Sequence, residues 1–279
     1  MRRMMCLINF VRRFAKKMKR DRIDAYAAQT ALFIVMGFFP FFMLLLTLIK
    51  YTPISPQVIM DILLEALPGD FYTLIESIVK ELFTSSVAIL SGTAVAAVWA
   101  ASRSVLAITN GLNSVRDVTE DRNYFYRRFR SGIYIVCLLI GIVVAIILLV
   151  FGNRLQQIIL RLIPLLQSFT GIIILARALL SVSILSLVFL AMYCALPNCR
   201  MRIGQQIPGA VLTAASWSVL SYGFSIYFDF MGGRTSVYGS LTNVVMMILW
   251  VYFCMWLLFF GAEVNCYLEY PDAFYKEET

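Results

Sequence analysis

Apolar positions run through this chain in long unbroken stretches rather than in alternation. Six stretches, roughly 27–49, 87–108, 133–151, 172–196, 207–228 and 238–264, are predominantly apolar, the second and fifth being the most polar. Each approaches or exceeds the roughly 20 residues that a bilayer core requires of a helix. None shows the two-residue alternation of a membrane strand. Backbone polar groups in a hydrocarbon core must be satisfied within their own segment, so runs of this length predict helices. The expected fold is an all-α integral membrane protein, a bundle of six transmembrane helices.

Two further segments combine helical spacing with mixed polarity. Near the start, Met5, Ile8 and Phe10 to Phe14 interleave with Arg and Lys, which predicts an N-terminal interfacial helix over 1–22. Farther on, Val58, Ile59, Ile62, Leu63, Ala66 and Leu67 recur at helical spacing. Pro68-Gly69 interrupts them, and Leu74, Ile75, Ile78, Val79 and Leu82 resume the pattern. This predicts an external amphipathic helical hairpin over 57–83, either a cap on the bundle or a lid. The remaining boundaries are a six-span domain over 23–268 and a cytoplasmic tail over 269–279.

Composition agrees with lipid as the main solvent. Hydrophobic residues make up 61% and charged residues 14% of the chain, and mean hydropathy is +0.81, whereas soluble domains carry about 25% charged residues. The net charge is +8, but nine basic residues, Arg2, Arg3, Arg12, Arg13, Lys16, Lys17, Lys19, Arg20 and Arg22, precede the first apolar run. A basic segment in that place fits anionic lipid better than nucleic acid. Arg116, Arg122, Arg127, Arg128 and Arg130 follow the second run, and Arg200 and Arg202 follow the fourth. The positive-inside rule then puts these loops and both termini in the cytoplasm. The first apolar run exceeds a signal peptide's core, so a cleaved leader is not expected.

Candidate chemistry is sparse. With no histidine, the chain lacks the commonest metal ligand and general base. Its six cysteines read as structural thiols, and no cofactor or metal is expected. Met231-Gly232-Gly233-Arg234-Thr235 lacks the Lys-Ser/Thr ending of a phosphate loop and reads as a turn. Charges inside spans carry more weight, because they are costly there. Arg103 in the second span and Glu263 near the end of the sixth fall in the cytoplasmic half, at a level shared with Asp24, Gln29, Asn113 and Asn265. Either Arg103 and Glu263 pair to lock helices together, Arg103 reaches headgroups, or the group forms a substrate or proton site. Pro40 breaks the first span near its middle, as at transport sites or packing kinks. Arg177, Asp229 and Arg234 form a second polar level toward the outside, where Arg177 and Asp229 are placed to pair.

Several short motifs occur in order. Ala27-Ala28-Gln29-Thr30-Ala31-Leu32-Phe33 precedes Phe38-Phe39-Pro40, and Trp99-Ala100-Ala101-Ser102-Arg103 precedes Leu112-Asn113. Leu196-Pro197-Asn198 is followed by Pro208-Gly209-Ala210, and Tyr238-Gly239-Ser240-Leu241 leads through Leu249-Trp250 to Gly261-Ala262-Glu263-Val264-Asn265. Together they resemble the YihY/BrkB family of bacterial inner-membrane proteins over most of 20–268. Phe33 stands where Tyr is common in that family, and Cys199 where Arg is common. The resemblance implies an inner-membrane location and a role in the envelope. The family's virulence-factor and old ribonuclease BN labels come with it, but the residues argue against a nuclease. The expected function is transport or export of a lipid or other amphiphile, with Arg103 holding an anionic headgroup and Glu263 and Asp24 gating by protonation. The rival is a non-transporting scaffold. Expected partners are membrane lipids with anionic headgroups and an envelope protein, not nucleic acid; an apolar outer surface fits monomer and oligomer alike.

Overall fold

The computed structural model describes residues 2–50, 57, 60, 87–141, 170–231 and 239–271. Apart from residues 57 and 60, the expected external hairpin lies outside these, as does Arg234. Every regular element among the described residues is helical: α1 (Arg2–Arg20), α2 (Ile23–Lys50), α3 (Val87–Val115), α4 (124–141), α5 (Thr170–Ala195), α6 (Ile203–Met231) and α7 (Gly239–Glu269). Lys17, Lys19 and Arg20 close α1, and Asp24 lies in the first turn of α2. Both placements complement the helix dipoles. Among the described residues, two stretches are long and apolar enough to cross a membrane, Ile203–Phe228 and Val244–Glu269. Each has 26 residues, about 39 Å of helix against a hydrocarbon core of about 30 Å. Ile23–Phe38 and Leu179–Ala195 are shorter apolar helices.

Contacts divide the chain into two compact units. The first comprises Met1–Ile34, Leu106–Asn123 and Phe169–Thr279. Within it α6 packs against both α5 and α7. Phe189 of α5, Trp217 of α6 and Trp250 of α7 form an aromatic ladder, with centroids 5.3 and 6.2 Å apart. One turn away, the Tyr193 hydroxyl donates to the Leu258 carbonyl at 2.7 Å and shares a 2.8 Å hydrogen bond with Thr213. Close approach of α6 to α7 depends on two glycines. A Cβ on Gly209 would collide with the Gly261 carbonyl and the Asn265 side chain, and one on Gly261 would collide with Thr213 and Tyr193. The outward faces are apolar: Leu180 and Leu187 of α5 and Val219 of α6 are each 60% or more exposed. Such a surface suits a hydrocarbon environment.

The second unit comprises Val35–Val105 and Tyr124–Ser168. Its described core is Ala97, Ala101, Ile135 and Leu139, flanked by Phe41, Val98 and Val105. Small residues let α2 approach α3, since a Cβ on Gly37 would lie 3.4 Å from the Ala101 Cα. Pro40 sits inside α2, which continues to Lys50. Its ring nitrogen donates no hydrogen bond to the helix.

Candidate functional site

The most concentrated charge in the first unit gathers on Lys17. Its side chain leaves α1 for the interior, where the residue is 4% exposed. The ammonium donates to Asp21 one turn on, to Glu263 Oε2 at 3.0 Å and to the Val115 carbonyl at 3.0 Å. Three acceptors thus meet a group with three donors. Burial works against the Lys17 ammonium, but the carboxylates of Glu263 and Asp21 outweigh it and hold the group above its usual value. Glu263 is wholly buried on α7, and its Oε1 has no hydrogen-bond partner among the described residues. Arg20 adds a contact to Asp21 at 3.3 Å. Aromatic packing supports the arrangement, with Phe14 of α1 edge-on to Phe260 and Tyr267 of α7.

Polar contacts continue away from this cluster. Pro208 supplies no N–H to α6, and the next N–H, that of Gly209, donates to Asn265 Oδ1 at 2.7 Å, while Asn265 Nδ2 donates to the Gln206 carbonyl at 3.1 Å. Arg116, just beyond α3, pairs with Glu269 of α7 and donates to Gln206 Oε1 of α6 at 3.0 Å. The chain reverses beyond α3 because Asp117 adopts a left-handed φ of 51°. The Asp117 and Val118 N–H groups then bond the Ser114 and Asn113 carbonyls, a Schellman cap. That turn brings Glu120 back to Asn113, whose Nδ2 donates to it at 2.7 Å and whose Oδ1 accepts the Asn198 N–H at 2.8 Å. A polar cavity of about 460 Å³ opens there, lined by Tyr26, Asn110, Asn113, Ser114, Asp117 and Glu120.

Of the residues singled out from the sequence, Glu263, Asn265 and Asn113 are buried polar groups of the first unit. Asp24 is exposed and accepts a 2.9 Å hydrogen bond from the Trp256 indole, and Gln29 is exposed. The cation against Glu263 within the first unit is Lys17. Arg103 belongs to the second unit, exposed on α3. Pro40 is in the second unit as well. Arg177 falls on α5 and Asp229 on α6, but their expected pairing lies outside the described side chains, and Arg234 outside the described residues.

Lys17, Asp21 and Arg116 were absent from the sequence-derived candidates. The Lys17–Asp21 spacing of four residues was a readable sign of a helical ion pair; nothing in the sequence indicated its burial against α7. In the second unit, Arg128 lies over the Trp99 ring, 4.3 Å from the centroid, and donates to the Trp99 carbonyl. Burial lowers its guanidinium pKa, Tyr124 opposes that, and the positive charge of Arg103 lowers it further. Chemically, the first-unit cluster can hold or release a proton or ion at Glu263 and tie α1 to α7. Among the described residues no three His, Cys, Asp or Glu side chains group to hold a metal.

A family model described as virulence factor BrkB matches residues 14–278. A Bacillus subtilis protein, YfkH, whose name describes it as ribonuclease-like, is 29% identical over 243 residues, covering 87% of this chain and 88% of its own. A UPF0761 membrane protein of Aeromonas salmonicida is 30% identical over 92 residues, 33% of this chain and 32% of that one. Another, from Chromohalobacter salexigens, is 29% identical over 109 residues, 39% of this chain and 22% of that one. The matches to these two membrane proteins therefore span a third or less of their length. No solved structure matches the chain. With nearly its whole length covered by the family model and with helices fit to cross a bilayer, the chain belongs to the BrkB virulence-factor family and is a membrane protein.

Proposed function

We propose that this is a six-span protein of the bacterial cytoplasmic membrane, both termini cytoplasmic, that moves a lipid or other amphiphile between leaflets. The observation that carries the reading is Glu263: a wholly buried carboxylate in a helix fit to cross a bilayer, held by Lys17, with one oxygen that has no hydrogen-bond partner among the described residues. Ionisable groups in such positions are costly and mark routes for ions, protons or charged headgroups. Lys17, Asp21 and Glu263 act as a gate in this reading, opened when protonation or a headgroup loosens the pairs. The chain's own basic segments, 2–22, 116–130 and 200–202, support cytoplasmic termini through the positive-inside rule. The ribonuclease-like label of YfkH is not carried over, because the chain has no histidine to serve as base and the buried acids among the described residues, Asp21 and Glu263, are engaged by cations.

The test is leaflet exchange of fluorescent phospholipids in liposomes holding the purified protein. Exchange above that of empty liposomes, lost on Glu263→Gln, supports the reading; a native rate equal to the empty control contradicts it. A second reading, a scaffold for an envelope partner, is favoured by the buried ion pairs that Lys17 and Arg20 make with Asp21 and Glu263, which suit a fixed lock between helices. There the cluster is needed for folding only.

A further inference from the structure

The second unit has an open apolar groove of about 730 Å³ between α3 and α4. Val98 and Trp99 form one wall; Phe129, Ile133 and Val136 form part of the other. The α4 lining positions recur every three to four residues, so they occupy one helical face, and on it Phe125 and Phe129 are more than 70% exposed. From Phe125 to Cys137 that face extends about 18 Å, close to one leaflet's share of a hydrocarbon core about 30 Å thick.

The groove also has a charged component. Arg128 lines it with its guanidinium over Trp99 and a buried Nε that has no hydrogen-bond partner among the described residues. Arg103 is near enough on α3 for its charge to act on Arg128. Among the described residues no Asp or Glu lines the groove and neither arginine appears in any ion pair. A buried guanidinium with an unsatisfied donor and a cationic neighbour is electrostatically incomplete without an anion. An occupant that matches both features has an apolar chain of leaflet length and an anionic end.

We propose that this groove binds an anionic membrane phospholipid, one acyl chain lying along Trp99, Phe129 and Ile133 and the phosphate on Arg128 and Arg103. The proposal rests on the lipid-handling reading above and names the lipid class and its site. Phosphate suits arginine because a guanidinium fork pairs with it in two parallel hydrogen bonds.

Trp99 reports on the site directly. Its emission is isolated as the difference between the native chain and Trp99→Phe, reconstituted in phosphatidylcholine vesicles containing brominated phosphatidylglycerol or brominated phosphatidylcholine as quencher. The expected result is half-quenching at a mole fraction of the anionic lipid at least about fivefold lower, fivefold being the preference that a single arginine near a headgroup confers. The preference disappears in Arg103→Gln/Arg128→Gln. It also disappears in Gly132→Leu, which fills the groove while keeping both arginines; a Cβ at 132 meets only Val98, at 3.6 Å. Equal quenching by both lipids, no quenching by either because a second copy covers the face, or a preference surviving both variants would overturn the proposal. Lost leaflet exchange with an intact preference would remove the transport reading alone, and intact exchange without a preference would remove the groove alone.

Discussion

Lys17 of α1 and Glu263 of α7, 246 positions apart in the chain, meet as a buried ion pair with Nζ 3.0 Å from Oε2. Asp21 shares the same ammonium, so removing the lysine leaves the buried Glu263 carboxylate without its cation and Asp21 with Arg20 alone. Lys17→Met is expected to destabilise the protein by about 3–5 kcal/mol, the usual cost of breaking a buried pair from one side. Thermal unfolding in detergent measures it; a change below about 1 kcal/mol would mean that the pair is not buried as described.

The alkaline limb of stability follows from the same lysine. Its folded pKa lies above the ordinary 10.5, held there by Glu263 and Asp21 against burial. A raised folded pKa contributes stability that is fully present below the unfolded value and is lost as pH rises through the folded one. Unfolding temperature should therefore lose the Lys17 contribution only above about pH 10.5, and Lys17→Met should lack that part of the decline. Melts from pH 8 to about 11 would check this.

The contact between α6 and α7 should tolerate no side chain at its glycines. Gly209→Ala places a methyl against the Gly261 carbonyl and Asn265, and Gly261→Ala places one against Thr213 and Tyr193. Each is expected to cost about 1–3 kcal/mol, as overpacking of a close interface does. Gly204→Ala, where a Cβ meets nothing within 4 Å, is the matched control and should be neutral in the same melt.

Asn113 fixes the connection after α3 through Glu120 and the Asn198 N–H. Asn113→Ala removes the acceptor for that N–H. Hydrogen exchange at Asn198 should then accelerate by roughly tenfold, the factor equivalent to about 1.4 kcal/mol and within the range for one lost hydrogen bond, while exchange in the middle of α7 stays unchanged. Equal rates at Asn198 in the native and variant chains would contradict the assigned bond.

The sequence made the helices readable because long apolar runs leave the backbone few alternatives, as in α6 and α7. It also indicated Glu263, Asn265 and Asn113, since polar groups inside apolar runs stand out one at a time. Pairing was not legible. Periodicity tells which face of a helix a residue occupies but not which distant helix faces it, so Arg103 was weighed as a partner for Glu263 and Lys17 was not. Lys17 was hidden by its setting in a basic segment whose composition matches a membrane-surface helix. Arg128 was hidden similarly, as one of several arginines in an apparently solvated loop. Asp24 and Gln29 share an approximate depth with Glu263 in the sequence reading, but their side chains are exposed rather than part of its cluster.

The central claim is that the charged cluster at Lys17, Asp21 and Glu263 works as a gate for amphiphile movement, not solely as a lock between helices. Leaflet exchange by the charge-swapped protein, Lys17→Glu with Glu263→Lys, tests it most directly, because the swap keeps the pair and the local net charge but moves the carboxylate from α7 to α1. The account predicts a folded protein, less stable than native because position 17 then presents a carboxylate to Asp21 and the Val115 carbonyl, with exchange reduced to the level of empty liposomes. A swapped protein that folds and exchanges lipid at the native rate would contradict it.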